Sequence, residues 1–303
     1  MPSLSFVTVD VFTTTRYAGN PLAIINVPKG HDISDDQMQQ IAREFNLSES
    51  VFLHESIASD NGVPEWRIRI FMTTAELPFA GHPTIGTACY ALGSIAHNAP
   101  KGRLIANAGP IDVDFASDVA RAAIPHNVHV HTENPFTIHD VYKLQPALVG
   151  VSSRAIDIVS PVKGMNFVCV ELPDLATLAK IDNTGVKPQP RLDEAWNVGF
   201  AGSLFYVLTD GPVTDDKVVK VRTRMMEGNF EDPATGSAAC ALGAHLALKA
   251  RSKSVHFDVT QGVEIGRKSD IGVSVVLKEG LDEVESIELS GSAVKIMEGV
   301  IEY

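Results

Sequence analysis

The sequence predicts a mixed α/β chain built as two similar lobes, and three observations lead there. Apolar runs such as Ser5-Phe6-Val7-Thr8-Val9-Asp10-Val11-Phe12 and Trp66-Arg67-Ile68-Arg69-Ile70-Phe71 alternate as strands do, and helical patterns follow them. A strand, loop, glycine turn and helix occur once in each half of the chain. Finally, 303 residues at 45% hydrophobic and 20% charged are ordinary globular composition, long enough for about two domains.

Taken in order, the strand over residues 5–12 is followed by a helix that opens on Ser34, with Gln37 in the capping-box position. Met38, Ile41, Ala42 and Phe45 share one face of that helix, which should stop near Asn46. Asn46-Leu47-Ser48-Glu49-Ser50 then forms a polar joint before the strand-like Val51-Phe52-Leu53, and such joints often carry function. Arg67-Ile68-Arg69-Ile70-Phe71-Met72 leads through a loop to Gly81-His82-Pro83-Thr84-Ile85-Gly86-Thr87-Ala88-Cys89. Far downstream, Val221-Arg222-Thr223-Arg224-Met225-Met226 leads to Asp232-Pro233-Ala234-Thr235-Gly236-Ser237-Ala238-Ala239-Cys240. Two copies at a spacing near half the chain suggest a pseudo-twofold pair rather than a solenoid. The crossover is expected within residues 125–136, which hold three histidines, Asn127, Asn134 and Pro135. The expected lobes are therefore residues 1–132 and 133–303, with the last strand, from about residue 290, a candidate to return to the first lobe.

A formal net charge of -12, with no dense Lys/Arg stripe interleaved with aromatics, argues against a nucleic-acid partner. No stretch approaches a membrane-spanning apolar run, and the opening Met1-Pro2-Ser3-Leu4-Ser5-Phe6 has no basic segment before an apolar one. A cytoplasmic location without membrane association is the expectation. Cys89, Cys169 and Cys240 are odd in number and lack C-x-x-C spacing, which suggests neither a disulfide framework nor a zinc site.

The two glycine turns carry the chemistry. Gly81-His82-Pro83 and Gly236-Ser237-Ala238 each place a glycine, then a polar residue, at a helix start, where the backbone is approachable and the dipole is positive. Two such ends directed at one cleft would trap an anion. Without G-x-x-x-x-G-K-[ST] or G-x-G-x-x-G, that anion is read as a small carboxylate or developing enolate rather than a nucleotide. Glu49, flanked by Phe45, Leu47, Val51 and Phe52, is the candidate acid/base, because a partly buried carboxylate is poised to accept and return protons near neutrality. His82 and Asp232 are its natural partners. His82 is equally readable as a helix cap and Asp232 as an N-cap or turn residue.

Asp10-Val11-Phe12-Thr13 with Gly19-Asn20-Pro21-Leu22-Ala23, then Asn46-Leu47-Ser48-Glu49-Ser50, then Glu76-Leu77-Pro78-Phe79-Ala80-Gly81-His82-Pro83-Thr84-Ile85-Gly86, and Glu231-Asp232-Pro233-Ala234-Thr235-Gly236-Ser237-Ala238 resemble, in order and spacing, the PhzF-like isomerase family of phenazine biosynthesis. The resemblance implies a diaminopimelate epimerase-like fold: two pseudo-symmetric α/β lobes, each a sheet wrapped around a central helix, with the active site in the cleft between them and usually a homodimer. The phenazine enzyme isomerises trans-2,3-dihydro-3-hydroxyanthranilate by moving a proton between ring carbons. By this resemblance Glu49 is the acid/base, His82, Asp232 and Ser237 assist it, and Asn20, Ser48, Gly81, Thr235 and Gly236 bind substrate. No cofactor or metal is implied.

Epimerases and racemases of this fold set one cysteine on each side of the substrate carbon. Those positions here are Ala80 and Thr235, which favours a one-base transfer by Glu49 over two-base stereoinversion. One departure is Arg222-Thr223-Arg224-Met225-Met226-Glu227, where relatives commonly read Arg-x-Phe-x-Pro, and it leaves substrate identity open. Two other readings stand beside the isomerase: a metabolite-binding or regulatory protein that keeps the cleft without chemistry, and a metalloprotein using His126, His129 and His131. A crossover with exposed histidines explains the last three equally well.

Overall fold

The pattern that opens at Ser34 folds as α1 (Asp35–Phe45), with both halves of the Ser34/Gln37 capping box formed. It ends at Asn46, whose left-handed backbone (φ 51°) stops the helix and turns the chain towards Glu49. A computed structural model describes residues 2–58, 62–215 and 217–303. The chain divides into two compact units, Met1–Ala123 with Leu289–Tyr303, and Ile124–Glu288.

The first unit contains β1 (Ser3–Val11), β2 (Asn20–Val27), α1, β3 (Ser50–His54), β4 (Ile57–Ala58), β5 (Pro64–Phe71), β6 (Glu76–Leu77), α2 (Gly81–Ala88), β7 (Lys101–Ala106), β8 (Gly109–Ala116) and β9 (Val119–Ala123). The second contains β10 (His129–His131), α3 (Ile138–Leu144), β11 (Ala155–Val162), β12 (Met165–Glu171), α4 (Leu175–Leu178), β13 (Phe200–Leu208), β14 (Val218–Glu227), β15 (Phe230–Asp232), α5 (Gly236–Ala250), β16 (Ser254–Gln261) and β17 (Ser269–Leu277). Within β18 (Val284–Gly291) the chain returns at Leu289 to the first unit, where it ends as β19 (Ala293–Glu302). Residues 124–132, assigned to the first lobe by the sequence reading, lie in the second unit and include β10, which pairs with β11.

Both sheets follow one plan. In the first, β19–β1–β2–β3–β5–β7–β8 pair successively antiparallel, antiparallel, parallel, antiparallel, parallel and antiparallel. In the second, β10–β11–β12–β13–β14–β16–β17 repeat those six senses in the same order. Each sheet curves around one helix. Every residue of α2 is buried, and α2 packs on β1, β2, β3, β7 and β9. α5 is buried over most of its length and packs on β11, β12, β16 and β17. Small residues dominate both helices because a helix enclosed on all sides cannot keep a polar face.

The opposite face of each sheet carries a second core. In the first unit, Met38 and Ile41 of α1 pack with Leu4, Ile25, Phe52 and Phe71. In the second, Val141 of α3 and Leu178 of α4 pack with Val168, Phe205 and Met226. Burial of these side chains, worth about 1.5–3 kcal/mol each, fixes strand register and so places the loops at the helix starts.

Candidate active site

Strand register supplies an internal ruler. Ser50, Val51 and Phe52 lie opposite Phe71, Ile70 and Arg69, as Ser203, Leu204 and Phe205 lie opposite Met226, Met225 and Arg224. In the hairpins that follow, Ile70 opposes Leu77 and Phe71 opposes Glu76, whereas Met225 opposes Asp232 and Met226 opposes Glu231. Glu49 therefore corresponds to Gly202, Leu77 to Asp232, Ala80 to Thr235, Gly81 to Gly236, and His82 to Ser237.

In the first unit the structure brings Glu49 and His82 together. Glu49 precedes the fully buried Ser50 of β3, and His82 occupies the first turn of α2. His82 Nδ1 lies 3.6 Å from Glu49 Oε2, with side-chain exposures of 5% and 17%. That distance is longer than a hydrogen bond, and it sets the carboxylate, largely out of water, beside the imidazole. Ala80, the residue before α2, provides no side-chain cap. Asn20 is buried at the start of β2, and the hydroxyl of Ser48 is buried without a hydrogen-bond partner among the described residues.

In the second unit Asp232 closes β15. Its Oδ1 accepts from the Ala234 amide (3.3 Å) and its Oδ2 from the Thr235 hydroxyl (2.6 Å), an Asx-type turn that leads the chain into α5. The turn alternative raised for Asp232 thus describes its local geometry. Thr235 makes no cap hydrogen bond to α5, its hydroxyl being directed at Asp232. Gly236 and the partly exposed Ser237 form the first turn of α5.

Each hairpin is clamped by an arginine. Arg69 Nε and Nη2 grip Glu76 at 2.7 Å each, and Arg224 Nε and Nη2 grip Glu231 at 2.8 and 2.6 Å. The Arg69 hydrogen bond holds the Glu76 carboxyl below the usual carboxylate range. The departure noted at residues 222–227 has a structural use, since Arg224 belongs to this clamp.

All three cysteines are free and buried. Burial pushes the Cys89 and Cys240 thiols up to about 12, and Cys169 higher still, so none is a thiolate near neutrality. The histidines divide. His126 Nδ1 bonds the Ile124 carbonyl oxygen (3.1 Å), apart from the other two. His129 stacks on Trp196 with centroids 4.6 Å apart and bonds Asp193 Oδ2 at 2.7 Å. His131 Nδ1 accepts from the Asp193 amide (3.1 Å), and its Nε2 is 2.9 Å from Ser160 Oγ. His129, His131 and Asp193 are close enough for a cation, but both His131 nitrogens are already engaged, and the cluster pins residues 193–196 to β10.

Sequence reasoning missed Gln261 and Thr223, which hold the Asp232 turn from neighbouring strands. A signal existed for Gln261: in β16, Val255, Phe257 and Val259 alternate inward, and Gln261 continues that buried face with a polar residue.

The phenazine biosynthesis-like (PhzC-PhzF) family model matches residues 9–299, and the chain belongs to this family. It is 33% identical over 314 residues to an uncharacterized isomerase of Mesorhizobium japonicum, covering 99% of each protein. It is 32% identical over 307 residues to a trans-2,3-dihydro-3-hydroxyanthranilate isomerase of Pseudomonas aeruginosa, covering 97% of this chain and 98% of that one. Among solved structures, a PhzF-family phenazine biosynthesis protein of Bacillus anthracis superposes with TM-score 0.79 at 22% identity, covering 100% of both chains. The fold is the expected diaminopimelate epimerase-like α/β class, and the protein is a PhzF-family isomerase. Among the described residues no helix is long and apolar enough to cross a membrane.

Proposed function

We propose that this isomerase moves a proton on a small carboxylate-bearing metabolite with Glu49 as its single acid/base. The observation that carries the reading is the asymmetry of the pair: a withdrawn Glu49 beside His82 in one unit, and Gly202 at the corresponding place in the other. Glu49 takes a proton from a C–H bond activated by conjugation. The electron pair shifts into the substrate's π system, and the carboxylic acid so formed delivers the proton to a second carbon on the same face. The proton lost at one carbon is matched by the one gained at the other, after the Glu49 carboxyl group has exchanged with solvent, and the electron pair stays in the substrate, so the reaction balances without a metal or redox cofactor. His82 stabilises the charge that alternates on Glu49. Asp232 and Ser237 orient the polar substituents, and the starts of α2 and α5 bind the carboxylate, assisted by Asn20, Ser48 and Thr235. A homodimer in the cytoplasm completes the reading.

The activity named for the Pseudomonas relative supplies the first compound to test, trans-2,3-dihydro-3-hydroxyanthranilate. In deuterium oxide the wild type should convert it with solvent deuterium entering the product. Glu49→Gln should still bind it and lose about 10³-fold in rate, since one group serves both proton transfers. Full activity in Glu49→Gln sinks the single-base mechanism, and binding without exchange by the wild type sinks catalysis on this compound.

A further inference from the structure

Asp232 is held from behind by groups that never reach a substrate. Gln261 is 1% exposed, Thr223 is 0% exposed, and both are polar residues on otherwise apolar inward faces of β16 and β14. Gln261 Nε2 donates to the Asp232 carbonyl oxygen (2.7 Å) and to Thr235 Oγ1 (3.0 Å). Thr223 donates to Gln261 Oε1 (3.2 Å), and the Asp232 carbonyl oxygen, which can only accept, fixes which end of the amide is nitrogen. Thr235 in turn donates to Asp232 Oδ2 (2.6 Å). Every donor in this buried relay points one way, from Thr223 through Gln261 and Thr235 to the Asp232 carboxylate.

Among the described residues the first unit has no such relay. By register, Ile68 stands for Thr223 and Ala106 for Gln261, and the loop before α2 is tied by a backbone bond, from the Ala108 amide to the Pro78 carbonyl oxygen at 2.9 Å. Burying two polar side chains costs stability unless they are fully bonded, and the corresponding place in the first unit shows that apolar residues fit. Fold alone therefore does not require them.

We propose that Gln261, oriented by Thr223, is a positioning residue that fixes the Asp232 carboxylate and the Thr235 hydroxyl at the start of α5 for the isomerase reaction. The inference rests on the role proposed for Asp232. Gln261 is matched to two acceptors at once, the Asp232 carbonyl and the Thr235 hydroxyl oxygen, so a group that cannot donate leaves the turn free to shift. A carboxyl group in its place accepts from Thr223 in either state but donates to Thr235 only when protonated.

The test compares wild type, Gln261→Leu, Gln261→Glu, Thr223→Val and Thr223→Ser. Amide hydrogen exchange without substrate should rise about tenfold over residues 232–237 in Gln261→Leu, and less in Thr223→Val, while β1 and β2 keep wild-type protection. With trans-2,3-dihydro-3-hydroxyanthranilate, kcat should fall roughly tenfold in Gln261→Leu with KM nearly unchanged, because a displaced group costs rate more than binding. Thr223→Ser should restore both readouts. Gln261→Glu should approach wild-type kcat as pH falls and lose it as pH rises, a profile that loosened packing would not produce. Unchanged exchange in Gln261→Leu, or a Gln261→Glu profile parallel to wild type, overturns the inference. Should the wild type not turn over this compound, the substrate reading fails while the exchange arm still decides the positioning role. Should Gln261→Leu not fold, the Thr223 pair decides it.

Discussion

The two units share a strand order, a central helix and an arginine-clamped hairpin, yet their polar side chains differ at corresponding points. The first has Glu49 and His82 where the second has Gly202 and Ser237, and the second has Asp232 where the first has Leu77. Thr223 and Gln261 back the Asp232 turn, whereas Ile68 and Ala106 occupy the corresponding positions near Leu77. A duplicated scaffold thus supplies two comparable helix starts, flanked by different polar side chains. Such a division suits a reaction in which one group moves the proton and others hold the substrate, since a symmetric pair of bases would serve inversion instead.

The clamps are the sharpest place to break the comparison. Arg224 and Glu231 are each 7% exposed, while Arg69 and Glu76 are 13% and 25% exposed and Arg69 keeps a second partner, Asp35. Arg224 also donates to the Leu178 and Ile181 carbonyl oxygens, tying β14 to the segment after α4. Glu231→Gln should cost about 3 kcal/mol of stability, because a buried guanidinium loses its countercharge. Glu76→Gln should cost about 1 kcal/mol, because water and Asp35 remain available to Arg69. Urea unfolding of the two variants reads the difference, and equal losses would mean that the clamps are equivalent despite their burial.

Much of this was legible in the sequence. The Ser34/Gln37 box, the stop at Asn46, the strand alternation and the glycine turns rest on local rules, and local rules survive folding. The Arg69/Glu76 and Arg224/Glu231 clamps share one spacing and were present in the repeat, but their pairing depends on cross-strand register, which sequence periodicity does not fix. Gln261 was harder: its partners Thr223, Asp232 and Thr235 lie on other elements, so only the polar break in a buried face betrays it. Of the three histidines singled out, His129 and His131 meet at Asp193, far along the chain, while His126 bonds the Ile124 carbonyl oxygen.

The central helices sharpen the comparison at a smaller scale. A Cβ on Gly86 of α2 would stand 2.6 Å from Val11 Cγ2 and 2.7 Å from Leu22 Cδ2, whereas one on Gly243 of α5 would stand 3.2 Å from Phe257 and Val273 side-chain carbons. Alanine at a helical glycine recovers up to about 1 kcal/mol of propensity, and overpacking costs about 1–3 kcal/mol. Gly86→Ala should therefore be destabilising by about 1–2 kcal/mol and Gly243→Ala close to neutral, as read by thermal unfolding. Equal tolerance would show that α2 is held no more tightly than α5.

The smallest expected effect concerns acid. In each unit desolvation keeps a histidine below its ordinary value of 6.5: the half-buried His54 at the end of β3 and the buried His131 in β10. Arg67 and Arg69 push His54 further down, whereas at His131 the push from His129 is opposed by Asp193. In the unfolded chain both rings take up a proton below about pH 6.5, while the folded protein keeps them neutral to lower pH. Their contribution to stability is thus complete above that value and is lost as pH falls through the folded values. Urea unfolding at pH 7.5 and 5.5 should show the wild type weaker at the lower pH, with the difference reduced more by His54→Gln than by His131→Gln. The reverse order would mean that Asp193 does not relieve His131, and that the His129–Asp193 hydrogen bond consumes the carboxylate's influence on its neighbour.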